Sequence, residues 1–129
     1  MSKFKSQGFN NTFKNARKGF RLVIKSERNL RIHLVVASLV ITLGFVFQFS
    51  KLEFIVMLFA ISNVIVTEML NTAIEFALDS IYHNRYSRMV GMAKDISAGA
   101  VMFATIISGV VGIILFGDKV FQLIANILN

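Results

Sequence analysis

Three stretches of the chain, about 30–49, 52–82 and 92–116, are apolar almost without interruption, and a fourth, about 9–28, is apolar on one side only. In the fourth, Phe9, Phe13, Ala16, Phe20, Val23 and Ile24 fall within about 100° of helical arc. Lys14, Arg17, Lys18, Arg21, Lys25 and Arg28 fill the neighbouring arc. That pattern predicts a basic amphipathic helix lying on a membrane surface. It has neither the short apolar core nor the small-residue cleavage site of a secretory signal. Glu27 lies at the centre of the apolar stripe, which implies either fraying or a bend before it, or a side chain aimed at the bundle.

From Leu34 to Phe47 the only hydroxyl or glycine positions are Ser38, Thr42 and Gly44, and a helix there covers most of a ~30 Å hydrocarbon core. Gln48, Ser50, Lys51 and Glu53 predict a short turn, so the next span runs antiparallel. A polar linker follows from Tyr82 to Ala93, with its turn at Asn84-Arg85-Tyr86-Ser87. The third span carries Ala93, Ser97, Ala100, Ala104, Ser108 and Gly112 at three- and four-residue steps, a stripe that lets helices approach closely in lipid. Gly117-Asp118-Lys119 is expected to end it, leaving a tail, 120–128, too short to cross. Residues 1–8 are expected to fray. The fold class is all-α integral membrane: one domain, 1–129, with a surface helix and three transmembrane helices.

Charge orients these elements. Nine of the 14 Lys and Arg precede His33, and Arg85, Arg88 and Lys94 lie in or beside the linker. Basic residues flanking apolar spans point to topology and anionic headgroups rather than nucleic acid. The N-terminus and the 82–95 linker are therefore expected in the cytoplasm, with the 50–53 turn and the C-terminus outside. The absence of Cys removes thiolate metal sites and cysteine nucleophiles.

Candidate chemistry lies in the second half of the second span. With Glu68 at zero, Glu75 falls at about −20°, Asp79 at about +20° and Asn71 at about −60°. Three carboxylates and an amide thus share one face. A carboxylate in hydrocarbon costs at least ~2.5–3.5 kcal/mol, so this face must meet protein, water or a cation. An interhelical polar clasp is the plainest explanation, but one Asn or Ser suffices for that. Lys94 and Asp95 open the next helix level with the stripe, and Glu27 reaches the same level. Carboxylates beside a lysine at a membrane boundary suit a Mg²⁺-nucleotide, oxygen ligands for the cation and ammonium for phosphate. Glu68 lies deepest, where a general base would meet a lipid hydroxyl. The chain has no GxxxxGK[ST] loop. His33 reads as an interfacial polar residue and His83 as linker. Three spans are too few to enclose the stripe, which predicts a homo-oligomer.

These residues carry a resemblance. The run Glu68 to Asp79 resembles the signature of the prokaryotic diacylglycerol kinase family, small trimeric membrane lipid kinases. Ala93-Lys94-Asp95 with the residues to Val101 is similar to its second motif, and Glu27-Arg28-Asn29 to its third. The likeness spans roughly residues 18–116. It implies a homotrimer in which Glu68 is the base activating a lipid hydroxyl for attack on the γ-phosphate of ATP. It further implies that Glu27 and Glu75 hold Mg²⁺ and, with Lys94 and Asp95, bind nucleotide, while Asn71 and Asp79 shape the site. Gram-negative members carry Gln-Glu where this chain has Ile32-His33, a lipid-proximal region together with Glu68. The Glu-Arg-Asn start and His33 resemble the Gram-positive branch, which implies undecaprenol as acceptor, with diacylglycerol the alternative. A cation or proton pathway is the reading from another class. It requires acids through the whole membrane depth, whereas 34–52 and 54–67 hold none.

Overall fold

The computed structural model describes residues 8–83 and 87–128. Four helices follow in order: α1 (Phe9–Ser26), α2 (Arg28–Val46), α3 (Lys51–Tyr82) and α4 (Arg88–Leu128). The last three are long and apolar enough to cross a membrane. Residues 84–86 of the expected linker turn and residues 1–7 lie outside the described residues.

The chain breaks between α1 and α2 at a single residue. Glu27 is extended, with φ −104° and ψ 117°. Arg31, one turn into α2, donates from Nη1 to the carbonyls of Ile24 (2.9 Å) and Lys25 (3.0 Å). A helix leaves its last carbonyls without intrahelical partners, so Arg31 caps α1 and fixes the corner at Glu27. Of the two readings of this acid the structure contains both, a bend at Glu27 and a carboxyl level with the bundle.

α2 stops at Val46, three residues before the expected 49, because a turn takes over its carbonyls. Gln48 is left-handed (φ 52°). Its N–H donates to Phe45 O (3.1 Å), and Phe49 N–H donates to Gly44 O (2.9 Å). Together these form a Schellman closure. Ser50 then opens α3 with a capping box: Ser50 N–H donates to Glu53 Oε2 (2.6 Å) and Glu53 N–H to Ser50 Oγ (3.3 Å).

α3 packs against both α2 and α4, α1 sits on α2 and α3, and α2 and α4 do not pack on each other. Seven-residue steps separate the buried positions Leu30, Ala37 and Gly44 on α2, Met57 and Val64 on α3, and Ser97 and Ala104 on α4, and on α3 burial then continues at Glu68 and Thr72. Such spacing keeps one seam of each helix facing its neighbour. Ser97 and Ala104 come from the small-residue stripe, whereas Ala100 is exposed. Large apolar side chains such as Phe59 and Ile113 point outward, as a chain solvated by lipid requires. Hydroxyls on these faces back-bond to their own helices, as Ser38 to Leu34 O (2.9 Å) and Thr42 to Ser38 O (2.8 Å) do.

The third span corrects the sequence expectation. Gly117-Asp118-Lys119 does not end α4, which continues to Leu128. A glycine inside a helix costs only about 1 kcal/mol, and the chain has no proline to force a stop. Lys119 Nζ also reaches Glu53 Oε1 (3.1 Å) and lies 5.8 Å from the Phe49 ring centroid. The Phe49 ring beneath it meets Phe54 edge to face and Phe116 at a tilt.

At Gly44 a Cβ would meet Phe54 Cε1 at 3.2 Å and Met57 Cε at 3.3 Å. Gly44→Leu should therefore destabilise the α2–α3 hairpin by about 1–3 kcal/mol, lowering the thermal midpoint in detergent. Gly44→Ala should lose much less, since the methionine end can give way. Equal midpoints for all three proteins would contradict the close approach.

Candidate active site

The acid stripe of α3 meets different elements along its length. Glu68 is buried. Its carboxyl lies within electrostatic reach of Glu27 at the α1–α2 corner, of His33 on α2, and of Glu75 two turns along α3, with the Asn29 side chain close enough to hydrogen-bond it. The corner that Arg31 fixes thus brings one acid and one amide onto α3. Behind Glu68, Thr72 is fully buried and donates to the Glu68 carbonyl (3.0 Å).

A second group joins α3 to α4. Lys94 Nζ contacts Asp79 Oδ1 at 2.6 Å. One turn further along α4, Ser97 Oγ lies 2.6 Å from Asn71 Oδ1 and 2.9 Å from the Lys94 carbonyl. Asn71 Nδ2 donates to Glu75 Oε1 (3.0 Å). Asn71 therefore couples the two groups: its oxygen holds α4 and its nitrogen orients Glu75. The network is polar on one side and rests on a buried seam on the other, an arrangement that fixes side-chain positions in a low-dielectric setting.

A cavity of about 260 Å³ lies between α2, α3 and α4. His33 forms one end of its lining and Phe116 the other, with Ala37, Val64 and Gly109 between them. His33 thus belongs to both the cavity wall and the surroundings of Glu68. Apart from His33, Thr105 and Ser108 the lining is apolar, and Ser108 spends its hydroxyl on the Ala60 carbonyl (2.9 Å).

Of the residues expected at the site, Glu68, Glu75, Glu27 and His33 come together, and Asn71, Asp79 and Lys94 form the adjoining α3–α4 link. Asp95 is exposed and Ile32 faces outward; neither joins the cluster. Among the described residues no three His, Asp or Glu converge tightly enough to hold a metal by themselves. Two carboxylates do suit Mg²⁺, which keeps several waters and completes its shell with substrate phosphates. The sequence reading gave no individual role to Arg31, Asn29 or Thr72 and no bonding role to Ser97. Thr72 had a signal, since it lies at about +40° on the same stripe. For Arg31 and Asn29 the signal is tertiary.

Comparison with known proteins identifies the family. Residues 14–116 match the family described as "Prokaryotic diacylglycerol kinase". The undecaprenol kinase of Bacillus subtilis is 32% identical over 111 residues, 86% of this chain and 89% of that protein. A diacylglycerol kinase of Haemophilus influenzae is 32% identical over 108 residues, 82% and 91% of the two chains. One from Synechocystis is 32% identical over 101 residues, covering 78% of this chain and 58% of that protein. With three helices long and apolar enough to span a bilayer, the chain is a multi-pass membrane protein and belongs to the prokaryotic diacylglycerol kinase family.

Proposed function

We propose that the chain transfers the γ-phosphate of ATP to the hydroxyl of a membrane polyprenol, undecaprenol, giving the polyprenyl phosphate. The observation that carries this reading is the position of His33, which lines an apolar cavity at one end and faces the Glu68 carboxyl at the other. A lipid whose hydroxyl lies at Glu68 has its chain in that cavity. One narrow cleft favours an acceptor with one chain, and the kinase from Bacillus subtilis is named for such an acceptor. Two of the similar proteins are named for diacylglycerol, which makes the two-chain lipid the alternative.

Glu68 takes the hydroxyl proton as the lipid oxygen attacks the γ-phosphorus and ADP departs. The buried seam below it and Thr72 behind it keep water out and the backbone fixed. Glu27 and Glu75 would hold Mg²⁺, which when bound would offset the charge of the phosphates. Asn71 sets the rotamer of Glu75. Lys94, braced by Asp79, carries positive charge to the mouth of the site for the phosphates, and exposed Asp95 stands at the edge for the rest of the nucleotide. Positioning and charge supply most of the catalysis in phosphoryl transfer.

The assembly is a homotrimer. In one chain α2 and α4 stay apart, and Glu75 and Asp79 remain partly exposed; a neighbouring subunit closes that side. The exposed bases of α1, Lys14, Arg17, Lys18 and Arg21, lie on anionic headgroups while Phe9 and Phe13 enter the bilayer. This puts α1 and the site at the cytoplasmic face and the 47–50 turn outside.

Transfer of labelled γ-phosphate into the extracted lipid tests these roles. Glu68→Gln keeps the side-chain shape and removes the base, so turnover should fall at least about a hundredfold while the oligomer persists; near-full turnover would remove Glu68 from that role. Glu75→Gln should raise the Mg²⁺ concentration required or abolish transfer, and an unchanged Mg²⁺ titration would exclude it from the metal site. His33→Glu should change the ratio of polyprenol to diacylglycerol activity. A constant ratio would separate His33 from acceptor choice.

A further inference from the structure

The hydroxyl of Ser97 carries one proton and has two acceptors within reach, Asn71 Oδ1 at 2.6 Å and the Lys94 carbonyl at 2.9 Å. Glu75, on the far side of Asn71, decides between them. An ionised carboxylate only accepts, so the Asn71 atom 3.0 Å from Glu75 Oε1 is the amide nitrogen. The amide oxygen then faces Ser97 and takes its proton. Were the proton given to the Lys94 carbonyl instead, Ser97 could only accept from Asn71. The amide would have to turn over, and its oxygen would meet the Glu75 carboxylate with no hydrogen between them. The chain of donors therefore runs one way, from Ser97 on α4 through Asn71 to Glu75 on α3.

Close packing does not call for this hydroxyl. Ala104, seven residues along α4, is buried on the same side of the helix with no polar atom in its side chain. An alanine at 97 would keep the approach of α4 to α3 and lose the bond to Asn71. That bond chooses an orientation. The terminal torsion of an asparagine is broad and roughly two-fold, and Asn71 and Glu75 are only partly buried. α3 alone therefore leaves either amide atom able to face the carboxylate, and Ser97 selects the nitrogen. The nitrogen in turn holds one carboxylate oxygen, which fixes the plane of the group and the direction in which its other oxygen is offered.

With Glu75 as a cation ligand, the reading proposed above, we propose that Ser97 is a positioning residue for the metal site. Its hydroxyl, acting through the Asn71 amide, sets the orientation in which Glu75 meets a divalent cation. The two links are a helix apart, so the same bonds that join α4 to α3 also prepare the carboxylate. Partners that orient a metal ligand are worth about 10–100-fold in affinity where protein ligands dominate the binding. Here nucleotide phosphates share the cation, so the expected effect is several-fold.

Mn²⁺ serves as a paramagnetic probe of the same site. Its binding to the purified full-length protein, with a non-hydrolysable ATP analogue present, is read without turnover from the free-ion electron paramagnetic resonance signal, against the protein-free mixture. Ser97→Ala should weaken Mn²⁺ binding several-fold, and Glu75→Gln should weaken it at least as much. In the Glu75→Gln background Ser97→Ala should add nothing, since the two act along one path. A further fall of the same size there would make Ser97 a general packing residue and overturn the proposal. A normal loss in Glu75→Gln with unmoved binding in Ser97→Ala would overturn it alone. Unmoved binding in Glu75→Gln itself would overturn the metal reading of Glu75, and the role of Ser97 with it.

Discussion

A carboxyl group cannot lie in hydrocarbon without polar company, and much of this structure follows from giving Glu68 that company. The group sits on an otherwise apolar helix, buried, where an unpaired charge would cost several kcal/mol. The chain answers by turning at Glu27, which lets the start of α2 bring Asn29 and His33 to the same carboxyl. Thr72 settles its own hydroxyl on the Glu68 carbonyl, so it makes no competing demand. Polar groups that would be liabilities singly become an ordered site together.

The second half of the stripe is arranged by α4. Asn71 links Ser97 to Glu75, and Asp79 holds Lys94. The joint between α3 and α4 is therefore also the scaffold of the site. At its far end α2 approaches α3 closely, where Gly44 has no side chain to collide with Phe54 and Met57. Away from that contact α2 and α4 stay apart, and an apolar cavity is left leading to the acids. The apolar lining runs from Phe116 to His33, and His33 also stands near Glu68.

The helices were legible because an apolar run long enough to span a bilayer has few alternatives. The acid stripe was legible because three carboxylates at helical spacing need a reason. Thr72 lay on the same stripe and was overlooked, its hydroxyl lost among the surrounding apolar residues. Arg31 and Asn29 could not be found from periodicity, since their roles depend on the angle between α1 and α2. The end of α4 was misplaced because Gly-Asp-Lys has the composition of a stop, while the pairing of Lys119 with Glu53 is a tertiary contact that no local rule supplies. Lys94 and Asp95, adjacent in sequence, part company in the structure: one joins the stripe and the other is exposed.

The central claim is a single-chain lipid alcohol phosphorylated at Glu68. Purified protein offered undecaprenol and diacylglycerol in parallel, with Mg²⁺ and ATP labelled on the γ-phosphate, tests it most directly. The account predicts transfer to both with a strong preference for the polyprenol. A preference for diacylglycerol would contradict the acceptor assignment, and no transfer to either from a folded oligomer would contradict the claim as a whole.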